Sequence, residues 1–216
     1  MSLSICEIFH SLQGESTHAG RPCVFVRLAQ CNLDCAWCDT QYARGLDEAT
    51  PMTRQEILDR VAEFNCNLVE ITGGEPLLQA ETPALIQDLL DQGYEVLLET
   101  NGSQPIAPVS PDCVRILDIK CPGSGEGDSF LWENIDHLSP KDEIKFVVGS
   151  RADYEFARQV ILDRLTAISG KKIHLSPVFG SITPETLAAW MVEDILPARL
   201  SLQQHKLIWH PDQRGV

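Results

Sequence analysis

The chain is 216 residues long, 44% hydrophobic and 22% charged, with a formal net charge of −14. This is the composition of one soluble globular domain over 1–216 with a proper core, and its acidity excludes a general nucleic-acid binder, which must meet phosphates with basic patches. No stretch approaches the ~20 apolar residues of a membrane helix, and residues 1–9 lack the basic start and long apolar run of a leader, so a cytoplasmic, reducing location is expected, where the eight cysteines are free or bind metal.

Residues 5–9 read as a short strand, followed by the polar turn Ser11-Leu12-Gln13-Gly14-Glu15-Ser16. Residues 23–29 are a mostly apolar run of strand length, interrupted by Arg27, a charge that needs a partner or a ligand. Directly after comes Cys31-Asn32-Leu33-Asp34-Cys35-Ala36-Trp37-Cys38, three thiols with gaps of three and two residues. Thiolates are soft ligands, and simple structural zinc sites or cysteine-held clusters take four protein ligands. Three thiols with no evident fourth predict an open metal position. A zinc loop, or three unrelated buried cysteines, is the alternative.

Thr53-Arg54-Gln55-Glu56 has the form of a capping box and predicts a helix to about residue 64, with Ile57, Leu58 and Val61 inward. A strand at 68–72 runs into Gly73-Gly74-Glu75-Pro76, where two glycines let the backbone come close to a ligand. Thr82-Pro83 opens a helix to about 92, with Gly93 at C′. A strand at 94–99 closes with Thr100-Asn101-Gly102, and one at 114–119 leads into Lys120-Cys121-Pro122. The glycine-rich stretch 123–128 predicts a mobile loop. Residues 131–138 predict a short helix, broken by Ser139-Pro140-Lys141. A strand at 143–148, a helix over 151–167 capped by Ser150, a strand at 172–176, a helix from Thr183-Pro184 to about 195 and a last strand within 199–206 follow. This alternation predicts an α/β fold: a partial, open (β/α) barrel of about six parallel strands, too few units for a closed eight-stranded one. Its polar strand ends would share one rim, where such folds carry their sites.

The three-cysteine stretch followed by Gly73-Gly74-Glu75-Pro76 resembles the radical S-adenosylmethionine (SAM) enzymes. The resemblance implies the radical SAM type of barrel and a 4Fe–4S cluster on Cys31, Cys35 and Cys38. The open iron of that cluster chelates SAM, and one electron then cleaves SAM to a 5′-deoxyadenosyl radical that takes a substrate hydrogen. It implies further SAM contacts from Trp37, Asp39, Gly74, Glu75, Asn101 and the turn Ser139, Pro140, Lys141.

Within that superfamily, Phe9-His10-Ser11-Leu12-Gln13-Gly14-Glu15, Phe25-Val26-Arg27-Leu28-Ala29-Gln30-Cys31-Asn32-Leu33, Cys38-Asp39-Thr40, Asp118-Ile119-Lys120-Cys121-Pro122 and Gln204-His205-Lys206 resemble the 7-carboxy-7-deazaguanine synthase family. What this implies is conversion of 6-carboxy-5,6,7,8-tetrahydropterin to 7-carboxy-7-deazaguanine with loss of ammonia, on the route to queuosine and related 7-deazapurines. SAM would be regenerated, Mg2+ required, and a homodimer and an electron donor such as flavodoxin expected. The substrate residues implied are Leu12, Gln13, Gly14, Glu15, Arg27, Thr72 and the C-terminal Val216. Arg27 suits the substrate carboxylate and the Thr40 hydroxyl suits Mg2+. A structural ion pair for Arg27 and an N-cap role for Thr40 compete with these roles. The family commonly has Gly where this chain has Ser16, and Gly there suggests a positive φ or a close approach. Two rival readings remain: a glycyl-radical-enzyme activase, which needs a protein-docking face, and a non-catalytic Fe–S or zinc protein, which needs a fourth ligand.

Overall fold

The computed structural model describes residues 2–211 and 213–216. The strands are β1 (Ser2–Leu12), β2 (Pro22–Leu28), β3 (Thr50–Thr53), β4 (Leu68–Gly73), β5 (Glu95–Thr100), β6 (Val114–Asp118), β7 (Glu143–Val148), β8 (Ile173–Pro177) and β9 (Arg199–Leu200). The helices are α1 (Arg54–Ala62), α2 (Thr82–Asp91), α3 (Arg151–Arg164), α4 (Pro184–Glu193) and α5 (Gln204–Ile208). The strands form one nine-stranded sheet in the order β3-β1-β2-β4-β5-β6-β7-β8-β9. From β2 to β9 every neighbouring pair is parallel, as crossover connections require. β1 and β3 extend one edge in antiparallel fashion.

Side chains alternate along the parallel strands and sort into two faces. The outward set packs under the helices: Val24, Val26, Val69, Ile71, Val96 and Leu98 meet α1 and α2, while Leu117, Ile144, Phe146 and Leu175 meet α3 and α4. The inward set starts apolar, with Cys23, Phe25, Leu68, Leu97 and Ile116. Toward the strand C-termini it turns polar, with Arg27, Glu70, Thr72, Glu99, Asp118 and Lys145 around one cavity. A flat sheet could not bring inner side chains of β2 and β7 to the same cavity. The sheet is therefore curved and left open, a partial barrel.

The helix starts follow the predicted chemistry. Thr53 Oγ1 accepts from Glu56 N, while the Glu56 carboxylate accepts from Thr53 N at 2.7 Å, completing the capping box of α1. Ser150 and Thr183 cap α3 and α4 with the one-way bond alone, accepting from Asp153 N and Thr186 N. Gly93 follows α2 with φ +87°.

Other expectations are corrected. The first strand continues through Leu12, beyond the expected turn at Ser11, because β2 pairs with it along its whole outer half. Residues 132–137 form a 3-10 turn in place of an α-helix. The expected strand within 199–206 is the two-residue β9 followed by α5. The glycine-rich stretch after β6 is tied down: Ser124 is buried, its carbonyl accepts from Ala36 N at 2.9 Å, and Glu126 accepts from Asp34 N at 2.7 Å.

The end of the barrel opposite the cavity is closed by Glu143, whose side chain is fully buried at the start of β7. It accepts from the backbone N–H and hydroxyl of Thr17 and from Lys172 Nζ at 3.0 Å, with His174 Nε2 at 2.6 Å. Burial resists its ionisation, but these donors win and hold its carboxyl down at about 2. A carboxyl depressed in the folded state stabilises the fold above its unfolded value and loses that contribution as pH falls through the folded one. We expect stability to drop by about 3 kcal/mol from this group as pH falls from ~4.5 to ~2. Urea melts across that range should show it, and Glu143→Gln should flatten that part of the profile.

Candidate active site

A cavity of about 570 Å³ opens at the C-terminal ends of the parallel strands. Its upper wall is the loop that leaves β2. Ala29 N donates to Ser4 O, and the Gln79 amide bonds both Ser4 and the Ala29 carbonyl, so the loop starts from a fixed point. Gln30 turns with φ +75°, and Cys31 follows, its N–H held by Arg44 O at 3.1 Å. Cys31, Cys35 and Cys38 are half-buried, and all three line the cavity with Trp37, Asp39 and Thr40.

Among the described residues no three Cys, His, Asp or Glu side chains converge on one point that could hold a single ion. Three thiols lining one cavity suit a multi-iron cluster, in which each cysteine holds its own iron. Leu33 N lies 3.5 Å and Asn101 Nδ2 3.9 Å from Cys31 Sγ, both placed as donors to a thiolate. Burial pushes the Cys35 thiol up to about 11 and also raises Cys31, so these groups become thiolates when a metal holds them.

The glycine motif is explained by packing as much as by ligand access. A Cβ on Gly74 would overlap the Gln30 carbonyl, and one on Gly73 would lie 2.7 Å from Leu28 O. Gly74 N donates to Leu28 O at 3.1 Å and Glu75 N to Gln30 O at 2.7 Å. Gly74 lines the cavity, but Glu75 does not. Glu75 is fully buried and accepts from Leu77 N, the Thr100 hydroxyl and Asn101 N at 2.7–2.9 Å. It ties the end of β4 to the end of β5 and so aims Asn101 at Cys31.

The predicted residues Leu12, Gln13, Gly14, Glu15, Arg27, Thr72, Asn101 and Val216 all line the cavity. The predicted turn Ser139, Pro140, Lys141 does not. It precedes β7 and therefore sits at the N-terminal end of a parallel strand, the end away from the cavity. There Ser139 N donates to Asp142, and Lys141 lies 3.9 Å from Asp112. Asp142 itself is spent on a buried pair with Arg115.

Competing roles are resolved in part. Arg27 has its ion pair, Nε to Glu7 Oε1 at 2.8 Å, yet still lines the cavity. Thr40 occupies the N-cap position of the turn Gln41–Ala43, but its hydroxyl makes no capping bond and lies 3.8 Å from Cys38 Sγ. Ser16 adopts φ +64°, the conformation a glycine would favour, and its hydroxyl accepts from His18 N at 3.1 Å. The Gln13 amide is fully engaged, accepting from Glu15 N and donating to Glu70.

Below these residues lies a charged floor. Lys145 Nζ is 2.6 Å from Glu15, 2.8 Å from Glu99 and 3.8 Å from Asp118. Burial disfavours its charge, but the three carboxylates hold its pKa well above the usual lysine value. Burial also opposes Glu15, and Lys145 with Gln203 overcomes it, leaving that carboxyl below its ordinary range. Glu70 and Glu99 go the other way, raised by burial and by neighbouring carboxylates. Lys120 pairs with Asp118 at 2.8 Å, while Asp118 Oδ1 is buried with no donor among the described residues. Of these groups Glu70 and Lys145 were missed in sequence, although polar residues at every second position of otherwise apolar strands (Glu70 and Thr72, Glu143 and Lys145, His174 and Ser176) would have revealed a polar inner face. The rim is closed by α5: Lys206 pairs with Asp39 at 2.7 Å and Gln203 donates to Glu15 at 3.0 Å.

The chain is similar to known proteins in both sequence and fold. The Radical SAM superfamily profile matches residues 26–118. The chain is 46% identical to a Koribacter versatilis 7-carboxy-7-deazaguanine synthase over 99% of this chain and 100% of that one. It is 47% identical to the protein of that name from Chlorobaculum tepidum, over 99% and 97%. In fold it is similar to QueE from Escherichia coli, with TM-score 0.74, 24% identity and 94% of both chains covered. It is also similar to SuiB from Streptococcus suis bound to S-adenosylmethionine, with TM-score 0.52, 14% identity and coverage of 80% of this chain and 48% of that one.

Gly74→Ala is expected to displace the Gln30 carbonyl and with it Cys31. Iron retained per chain after anaerobic reconstitution should fall severalfold, while Gly93→Ala, strained at φ +87° but with open space around it at the end of α2, should leave iron content unchanged.

Proposed function

The chain belongs to the 7-carboxy-7-deazaguanine synthases of the radical SAM superfamily, and on that premise we propose how its cavity divides the work. The reaction is conversion of 6-carboxy-5,6,7,8-tetrahydropterin to 7-carboxy-7-deazaguanine with release of ammonia. The observation that carries the reading is that the three loop cysteines and a floor of buried charges open onto one cavity.

Cys31, Cys35 and Cys38 would hold a 4Fe–4S cluster, which with SAM and a reductant such as flavodoxin would supply one-electron cleavage and hydrogen-atom abstraction. Asp118 and Lys120 suit the two ends of the SAM amino acid: a buried carboxylate oxygen with no donor among the described residues for the ammonium, and a half-buried ammonium for the carboxylate. Gly74, Asn101, Trp37 and Asp39 line the adjoining wall. Glu75 acts through Asn101 and the Gly74 backbone. Ser139, Pro140 and Lys141 have no part in it.

Arg27 receives the substrate carboxylate. The floor carboxyls Glu70 and Glu99 suit the amino and N–H groups of the pterin edge, and because burial raises both they retain a proton to higher pH than an exposed glutamate. Gln13 orients Glu70 and Glu15, while Leu12, Gly14, Thr72 and Val216 complete the walls. The Thr40 hydroxyl, which makes no capping bond, is a hard oxygen ligand for Mg2+.

Anaerobically reconstituted protein given 6-carboxytetrahydropterin, SAM, Mg2+ and reductant is expected to form 7-carboxy-7-deazaguanine, followed by its absorbance and mass. Cys35→Ala should abolish both product and SAM cleavage, and Thr40→Val should raise the Mg2+ concentration needed for half-maximal rate. SAM cleavage without product in the native protein would exclude the pterin reaction.

A further inference from the structure

Glu7 stands opposite Arg27 across the antiparallel β1–β2 pair, and its Oε1 accepts two hydrogen bonds. One comes from Arg27 Nε at 2.8 Å, the other from the Tyr42 hydroxyl at 2.8 Å. Tyr42 belongs to the turn Gln41–Ala43 that follows the cysteine loop. On the other face of its ring lies Arg214, 3.5 Å from the centroid and paired with Glu48 at 2.6 Å. Tyr42 thus touches three parts of the chain that are far apart in sequence: the first strand, the loop after the cysteines and the C-terminal segment.

A guanidinium can grip a carboxylate along either of two edges, Nε with Nη2 or Nη1 with Nη2. Glu7 occupies Nε, and Arg27 Nη1 is only loosely held, 3.5 Å from Gly73 O. The Nη1–Nη2 edge is therefore the one left for a ligand in the cavity. Among the described residues Glu7 Oε2 has no donor. The Tyr42 hydroxyl bonds the same Oε1 as Arg27 Nε, and this second bond restrains the rotation that would swing Oε2 onto Nη2. Such a swing would give a side-on pair that shares Nη2 with the ligand and neutralises the guanidinium.

We propose that Tyr42 is a positioning residue for substrate recognition: its hydroxyl restrains Glu7 to one hydrogen bond with Arg27 and so keeps the Nη1–Nη2 edge open to the substrate carboxylate. This rests on the reading of Arg27 as the carboxylate receptor. It also makes carboxylate recognition depend on the seating of the cysteine loop and of the C-terminal segment, because both fix the Tyr42 ring.

The test uses reconstituted holoenzyme with SAM and compares binding of 6-carboxytetrahydropterin with that of 6-methyltetrahydropterin by anaerobic calorimetry. Tyr42→Phe should weaken the carboxylated ligand about tenfold and the methyl analogue by less than about twofold. In a Glu7→Gln background, where a neutral amide cannot compete for Arg27, the same change should shift the carboxylated ligand by less than about twofold. Equal losses for both ligands would mark a merely structural role and overturn the proposal, as would full retention of the carboxylate preference in Tyr42→Phe. If native protein shows no preference for the carboxylated ligand, the Arg27 reading itself fails and the relay falls with it.

Discussion

The contact between the ends of β2 and β4 is the constraint on which the site depends. Gly74 N and Glu75 N donate to Leu28 O and Gln30 O, and the backbones approach so closely that neither Gly73 nor Gly74 can carry a side chain. This fixes the point at which the chain leaves the sheet and therefore where Cys31 begins. The next residue passes the constraint on: Glu75 accepts from Thr100 and Asn101 at the end of β5, and Asn101 reaches back to Cys31 and Asn32. The circuit from loop to β4 to β5 and back is made of neighbouring parallel strands, so it needs no long lever to hold a metal-binding loop in register.

Inside that rim the barrel holds an unusual amount of charge for a folded interior. A buried ion pair seldom adds much to stability, because desolvation cancels most of the attraction. Lys145, Glu15 and Glu99 are better understood as a site assembled at the expense of packing. The apolar layer of Cys23, Phe25, Leu68, Leu97 and Ile116 lies beneath them, and Glu143 with His174 and Lys172 seals the far end. The outer faces, packed against the helices, carry the stability that lets the inner face be polar.

Local chemistry was legible in sequence wherever it acts at short range. The cysteine spacing, the Gly-Gly-Glu-Pro turn and the capping box at Thr53 each name their own structure. Partnerships across the chain were not. Gly14 reads as a generic turn glycine, but its need arises from His205, whose ring a Cβ there would strike. Asp39 meets Lys206, and Arg27 meets Glu7 across a strand pair. Ser139-Pro140-Lys141 failed for a topological reason: a motif before a parallel strand lies at the wrong end of the barrel, whatever its composition. The glycine-rich stretch 123–128 suggested mobility, while its carbonyl and carboxylate partners in the cysteine loop could not be read from it.

Ser16 brings these threads together. A non-glycine residue at φ +64° costs on the order of 1–2 kcal/mol, and the turn around it would relax if it were free. It is not free. Glu15 on one side is gripped by Lys145, and Thr17 on the other donates both its N–H and its hydroxyl to buried Glu143. Both anchors belong to β7, so one strand of the barrel clamps the turn from two levels. The strained geometry persists with serine because the surrounding charges over-determine it, and those same charges are the floor beneath the cavity. The first turn and the floor therefore behave as one unit, and the loss of Lys145 should be felt at Leu12 to Gly14 as much as at Glu99.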